Sequence, residues 1–240
     1  FSPKFAGKIG LAARAPAGQL TLDAQPATAS FALPNIFEAS RADKNAVASA
    51  PPAAPPKQTP PPPSAFDRLL AKAQAGDSKA ALLTGLRYAD GDGVETNDGE
   101  AFAWLRKAAE AGETLAQYRL GTFFESGRGT RADAKQAATW YLAAAKQGNR
   151  KAMHNLAVAY ANGAGLGKNY AEAAHWFEAA SNLGLMDSQF NLAVLYERGL
   201  GVPVSLARAY RWYAIAAAAG DTESKTRDRK STRLNSSHIT

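Results

Sequence analysis

Tryptophan recurs along this chain at a fixed interval of 36 residues, at Trp104, Trp140, Trp176 and Trp212. Two glycines keep the same interval in every copy; they are Gly91, Gly93, Gly127, Gly129, Gly163, Gly165, Gly199 and Gly201. A fixed period of this length is typical of proteins that stack short structural units in one direction. The period therefore predicts a solenoid rather than a globular domain with one central core.

The same interval divides the chain into units of equal length without insertions. We predict four complete units, at residues 78–113, 114–149, 150–185 and 186–221. Residues 65–77 form half of an earlier unit, because Gly76 precedes Gly112 by one period. Residues 222–227 begin a further unit.

Each unit is predicted to contain two helices. The first runs for about 12 residues and ends at the Gly-x-Gly pair, which breaks helices. The second begins at a residue type preferred as an N-cap, namely Asn97, Asp133, Asn169 and Ser205. In three units a later side chain would complete a capping box, namely Glu100, Gln136 and Glu172. These signals predict an all-α fold, a right-handed α-solenoid of helix-turn-helix repeats.

Both ends of the chain differ in composition from the repeats. Residues 1–64 hold 12 of the 13 prolines and show no sustained periodicity, so we predict a disordered Pro/Ala-rich linker. Residues 228–240 resemble a translated sequencing adapter and are excluded from the fold prediction. The chain begins with Phe1 rather than Met, and we expect it to be a fragment of a longer protein.

The order of motifs within each unit resembles the Sel1-like repeat, a relative of the tetratricopeptide repeat. The motifs are Leu-Gly/Ala, Tyr/Phe, Gly-x-Gly, Ala-x-x-Trp and Ala-Ala-x-x-Gly, and they cover residues 78–221. Slight departures from the pattern are Phe124, Thr130 and Leu166. The resemblance implies helix pairs stacked into a curved superhelix.

Residues 191–203 and 209–217, together with the Pro-rich segment before the repeats, resemble PodJ-type polar localisation factors of bacteria. In those proteins a cytoplasmic coiled coil and one membrane span precede periplasmic Sel1-like repeats. The resemblance implies a place in the bacterial cell envelope, on the periplasmic side of a membrane, with anchoring through sequence upstream of Phe1. A cytoplasmic location is the alternative.

Composition and charge argue against several classes of function. The chain has no cysteine, which excludes thiolate metal sites and cysteine nucleophiles. It has no apolar run of about 18 residues, so we predict no membrane span in it. The net charge of the whole chain is +7, but residues 65–227 carry only +2, with both signs mixed along each helix. Nucleic-acid binding requires a clustered basic surface, so we do not expect a nucleic-acid partner.

The chain carries only weak signals for catalytic or metal chemistry. Residues 163–168 resemble a phosphate loop, but Asn162 and Asn169 stand where that motif requires Gly and Ser or Thr. The acidic residues Asp90 and Asp92 lack the further ligand of a calcium loop at Val94. We therefore predict no catalytic, cofactor-binding or metal-binding residues, and no enzymatic activity.

The tetratricopeptide pattern predicts which side chains of the first helices point into the concave face of the superhelix. They are Tyr118, Arg119, Thr122, His154, Asn155, Phe190 and Asn191. Aromatic rings provide contact area, asparagine amides can bond a peptide backbone, and Arg119 can bind a carboxylate. The alternative is that these residues pack inside the superhelix, or that the asparagines hold the neighbouring unit.

Together these features predict a non-catalytic scaffold that docks a protein or peptide segment in a rigid groove. The 64-residue linker would let the groove search around its anchor. We expect a role in bacterial polar localisation or cell-envelope organisation. The alternatives are a soluble adaptor in signalling, or the repeat part of an exported, peptidoglycan-associated cell-wall protein.

Overall fold

The computed structural model describes residues 62–227, and all regular secondary structure in this range is helical. The helices are α1 Ala65–Gln74, α2 Ser78–Asp90, α3 Asp98–Glu110, α4 Thr114–Ser126, α5 Ala134–Lys146, α6 Arg150–Asn162, α7 Tyr170–Asn182, α8 Met186–Arg198, α9 Leu206–Ala218 and α10 222–227. The predictions made for residues 1–61 and 228–240 lie outside the described residues.

The helices pack in chain order. Each first helix (α2, α4, α6, α8) packs most extensively on the second helix of its own unit, and each second helix then packs on the first helix of the next unit. This nearest-neighbour packing is that of an α-solenoid. We call the surface formed by α2, α4, α6 and α8 the first-helix face.

The second helices begin at the predicted caps. The side chains of Asn97, Asp133, Asn169 and Ser205 each accept hydrogen bonds from backbone N–H groups in the first turn. The capping box predicted at Glu100 requires its carboxylate to bond the backbone of Asn97. In the structure this carboxylate instead accepts a hydrogen bond from Trp104 Nε1 at 3.1 Å. A complete capping box is formed by Ser64 and Asp67 at the start of α1.

In three of the four loops the second glycine sets the distance between successive units. Gly165 has a φ of +69°, and a Cβ at this position would overlap the backbone of Ala134 at the start of α5. Gly129 and Gly201 make the same close approach to the preceding unit, at Asp98 and Tyr170. Glycine is therefore required here both by its backbone conformation and by its lack of a side chain.

The tryptophans pack at the boundaries between units. Trp104 is buried in one cluster with Ala73 of α1 and Ala80 of α2. Trp176 is half-buried and packs against two clusters, one containing Leu156 and the other Phe177. The hydrophobic core therefore continues from unit to unit along the stack. None of the helices within residues 62–227 has the length and apolar composition needed to span a bilayer.

Candidate functional site

The structure divides the seven residues predicted to line a groove into two groups. Tyr118, Arg119, Thr122 and Asn155 are half-buried and lie on α4 and α6. His154, Phe190 and Asn191 are buried, with 3%, 3% and 0% of their surface exposed. The first group therefore offers side-chain surface to a partner, whereas the second belongs mainly to the packing of the stack.

Two of the predicted residues, Tyr118 and Arg119, lie together in a cleft of about 350 Å³ between the N-terminal ends of α4 and α6. We call this the basic cleft; it is lined by Leu115, Tyr118, Arg119, Asn149, Arg150 and Lys151. Leu115 is 42% exposed and provides an apolar edge. The Tyr118 ring packs on that of Tyr141 with 6.2 Å between centroids, which fixes the aromatic wall.

The guanidinium of Arg119 carries an unpaired hydrogen-bond donor in the cleft. Its Nε is buried and has no hydrogen-bond partner within the described residues. A buried donor of this kind costs free energy until it is paired, because it has lost water without gaining an acceptor. Arg119 also acts on its neighbour: burial raises the pKa of the Tyr118 hydroxyl, and the Arg119 charge partly opposes that rise.

The other charges around the cleft are also positive. Arg150 and Lys151 lie in the first turn of α6, and among the described residues that line the cleft none is acidic. Arg150 donates one hydrogen bond to the backbone carbonyl of Leu183 at 3.2 Å, which holds the side chain in place. Three cations beside an apolar edge and an aromatic wall form a surface suited to a carboxylate-bearing segment.

Thr122 and Asn155 are accessible but already have partners. The Thr122 hydroxyl donates to the backbone carbonyl of Arg119 at 2.7 Å. The side chain of Asn155 donates a hydrogen bond to the Tyr141 hydroxyl, and that hydroxyl donates its own hydrogen to Glu125 Oε2 at 2.6 Å. Asn155 therefore joins the third unit to the second, which is the alternative role that the sequence left open for the asparagines.

His154 lies within the junction between the third and fourth units. Its Nδ1 is 2.8 Å from Ser188 Oγ, and its ring packs edge-on against Phe177. Burial lowers the pKa of His154, while the charge of Asp187 opposes that change. The pattern placed this residue on an open face, but the close approach of α8 covers it.

Phe190 and Asn191 also differ from the open placement that the pattern predicts. The Phe190 ring packs against Tyr213 with centroids 5.6 Å apart, and the Arg227 guanidinium lies 5.3 Å from the ring. All residues from Ser188 to Tyr196 on α8 are buried. Arg227 belongs to α10, so the start of the following unit contributes to the cover over this part of α8.

Sequence reasoning missed four residues of the basic cleft, namely Leu115, Asn149, Arg150 and Lys151. They lie at the N-terminal ends of the first helices, one turn before the predicted columns. One signal was available, because the repeat position of Leu115 holds Lys79, Lys151 and Asp187 in the other units. An apolar residue in an otherwise charged column marks a departure from a solvated surface.

The described residues show no arrangement that would hold a metal ion. Within residues 62–227 no group of three or more His, Cys, Asp or Glu side chains comes together. Of the two acids considered above, Asp90 is the last residue of α2, and Asp92 lies 3.6 Å from the guanidinium of Arg87.

Comparison with known proteins identifies the repeat. The model of the Sel1 repeat matches residues 78–113, 114–149, 150–185 and 187–221. No curated protein sequence matches the chain.

Two solved structures resemble the fold closely. One is the protective antigen c5321 of uropathogenic Escherichia coli, described as having an SLR fold, with 36% identity and a TM-score of 0.64 over 68% of this chain. Another is a Sel1 repeat protein from Oxalobacter formigenes, with 33% identity and a TM-score of 0.64 over 67% of this chain. The match covers 35% and 66% of those two chains, so this chain corresponds to only part of each.

Proposed function

Because this chain belongs to the Sel1 repeat family, whose repeats mediate protein–protein interaction, we propose that it is a non-catalytic scaffold that docks an acidic protein segment in the basic cleft. The segment places a carboxylate on Arg119 and an apolar side chain against Leu115 and Tyr118. Arg150 and Lys151 attract further carboxylates at the rim.

The observation that carries this proposal is the buried, unpartnered Nε of Arg119 in a cleft without an acidic side chain. A carboxylate can accept two parallel hydrogen bonds from one guanidinium, which fixes the orientation of the segment. Arg119 is half-buried, so its side chain turns toward the cleft to bring the buried Nε to the carboxylate. The cations at the rim mainly raise the association rate and select against basic partners.

A binding titration tests the proposal. The probe is a fluorescein-labelled peptide Gly-Leu-Glu-Glu-Phe-Asp, and the control probe replaces its acids with Gln and Asn. We expect saturable binding of the acidic peptide only. Arg119→Ala should weaken it by about tenfold, the value of one charge-assisted hydrogen bond.

Arg131→Ala is the matched control, because Arg131 is an exposed arginine outside the cleft and its removal changes the net charge equally. It should leave the affinity within about twofold at 150 mM salt, where distant charges are screened. Equal losses for Arg119→Ala and Arg131→Ala would mean that the peptide responds only to net charge, and the proposal would be wrong.

We further propose that the scaffold works in the bacterial cell envelope, in polar localisation, with its repeats on the periplasmic side of a membrane-anchored protein. The support is the resemblance of residues 191–203 and 209–217 to polar localisation factors. Alkaline phosphatase fused to the repeats in the protein made from its natural gene should be active. If the phosphatase fusion is inactive and a matching fusion to green fluorescent protein is fluorescent, the result would favour the alternative of a cytoplasmic adaptor.

A further inference from the structure

A second and larger cavity, about 570 Å³, lies between α1 and α2 at the N-terminal end of the described repeats. We call it the N-terminal pocket. Its apolar lining is formed by Leu69 of α1 and by Leu83 and Leu86 of α2. Leu83 is 50% exposed, an unusual exposure for a leucine that lies in a concavity. The pocket shares no residue with the basic cleft.

The repeat register indicates what kind of structure fills the corresponding place in the complete units. There, each second helix is covered by a first helix so closely that the contact residue is small: glycine in the first two units, and Ala157 and Ala193 in the other two. A Cβ on Gly85 would lie 2.9 Å from the side chain of Leu105, and one on Gly121 would lie 2.6 Å from the Tyr141 ring. Leu69 occupies the repeat position of Leu105 and Tyr141. Within residues 62–227, α1 has no first helix of its own unit, so its surface has the form of a helix-binding site.

The charges of α1 distinguish this site from the matching surfaces of the other units. Lys72 occupies the repeat position of four buried alanines, namely Ala108, Ala144, Ala180 and Ala216. Arg68 occupies the position of the four tryptophans. Both cations are exposed, line the pocket and have no ion pair within the described part of the chain. The opposite wall carries Arg87, Asp90 and Asp92, and Asp92 lies 3.6 Å from the Arg87 guanidinium, so the unmatched positive charge of the pocket lies on α1. An uncharged helix would leave Arg68 and Lys72 unmatched, whereas a helix with an acidic edge turned toward α1 would complement them.

We propose that the N-terminal pocket docks an amphipathic helix with an acidic edge, contributed by a partner protein. Apolar side chains of that helix cover Leu69, Leu83 and Leu86, and its carboxylates face Arg68 and Lys72. The partner helix takes the place that a first helix takes in each complete unit, so it extends the stack at its N-terminal end. This site adds a second contact to the one proposed in the basic cleft and does not depend on it.

The first test uses a hydrocarbon-stapled peptide with the sequence of α2, Ser78–Asp90, in which glutamates replace Ala80 and Ala81. These two alanines pack in the cluster that contains Trp104 and Ala108, whose repeat positions are those of Arg68 and Lys72. Fluorescence anisotropy with the full chain should give saturable binding. A second peptide with lysines at the same two places should bind at least about tenfold more weakly, because two partly exposed pairs are replaced by repulsion.

Charge reversal on the protein completes this test. In the Arg68→Glu, Lys72→Glu variant the order of the two peptides should reverse, with the lysine peptide binding more tightly. Equal affinity of both peptides for the wild-type chain, or no saturation with either, would overturn the proposal.

A leucine substitution tests the apolar part of the site. Leu83→Glu should abolish binding of the acidic peptide without lowering the melting temperature, since half of this side chain is already in solvent. The matched control is Leu183→Glu, which alters a leucine of 47% exposure in another unit and should leave binding unchanged. Equal effects of the two substitutions on peptide binding would contradict docking in the N-terminal pocket.

Two further outcomes would replace the partner helix by another occupant. Binding of the acidic peptide only after deletion of residues 1–61 would mean that the chain itself fills the pocket. Self-association of the full chain in sedimentation, abolished by Leu83→Glu, would assign the pocket to a second copy. Either result would overturn docking of a partner helix.

Discussion

The same repeat positions are open in the second unit and buried in the fourth. Tyr118 and Arg119 on α4 line the basic cleft, whereas their equivalents Phe190 and Asn191 on α8 are almost completely covered. The difference shows that a repeat position fixes the direction of a side chain but not its exposure. Exposure depends on what the neighbouring units place over it, and Arg227 of α10 lies over Phe190.

The largest expected effect comes from truncating the aromatic residue of this position in each of the two units. Phe190→Ala should lower the free energy of unfolding by about 4 kcal/mol, because it leaves a cavity beside Tyr213. Tyr118→Ala should cost no more than about 2 kcal/mol, because its ring is half-buried and the site can relax. Urea unfolding followed by circular dichroism measures both. Losses of equal size would remove the distinction between the open and the buried unit.

An intermediate effect is expected from His154, which lies between the two regions. Burial lowers its pKa in the folded state, so the unfolded chain binds more protons once the pH falls below the ordinary histidine pKa of 6.5. The contribution of His154 to the free energy of unfolding is therefore fully present above that pH. It declines as the pH falls toward the folded-state pKa, by at most about 1.4 kcal/mol per pH unit.

Unfolding measured between pH 7.5 and 5 checks this dependence. In the His154→Gln variant the free energy of unfolding should fall less steeply as the pH is lowered. The difference in slope should correspond to at most one bound proton. His175→Gln, which alters an exposed histidine, is the control and should keep the wild-type slope. An unchanged slope in His154→Gln would mean that the buried ring does not titrate as described.

Local sequence signals predicted much of the fold. The caps at Asn97 and Asp133 and the loop glycines act through hydrogen bonds and backbone conformations within a few residues, so the sequence alone determines them. The period then places the helix pairs in order, and the family match confirms the type of repeat.

The accessible surface could be predicted only in part. Tyr118 and Arg119 were identified from the repeat pattern, whereas the burial of His154 and Phe190 depends on contacts from the following unit. Arg150 was missed because it meets Arg119 only after two units have stacked. These contacts join residues of different units, and a pattern within one unit does not record them.

The smallest expected effect comes from removing the cover over the fourth unit. Arg227 donates to Glu197 at 2.9 Å and to the Tyr213 hydroxyl at 3.0 Å, but its side chain is about one third exposed. Arg227→Ala should therefore lower the free energy of unfolding by about 1 kcal/mol. It should also increase hydrogen exchange on α8, measured by mass spectrometry. Lys225→Ala in the same helix should change neither quantity; an equal change would show that α10 acts through its total charge.

Photo-crosslinking in the open region tests the central claim most directly. A p-benzoylphenylalanine residue is placed at Leu115 in the basic cleft or, as a control, at the exposed Ile215 on α9. The claim predicts that the acidic peptide Gly-Leu-Glu-Glu-Phe-Asp becomes crosslinked at position 115 but not at 215, and that Arg119→Ala abolishes the product. Equal yields at both positions, or a product at 115 that persists without Arg119, would contradict it.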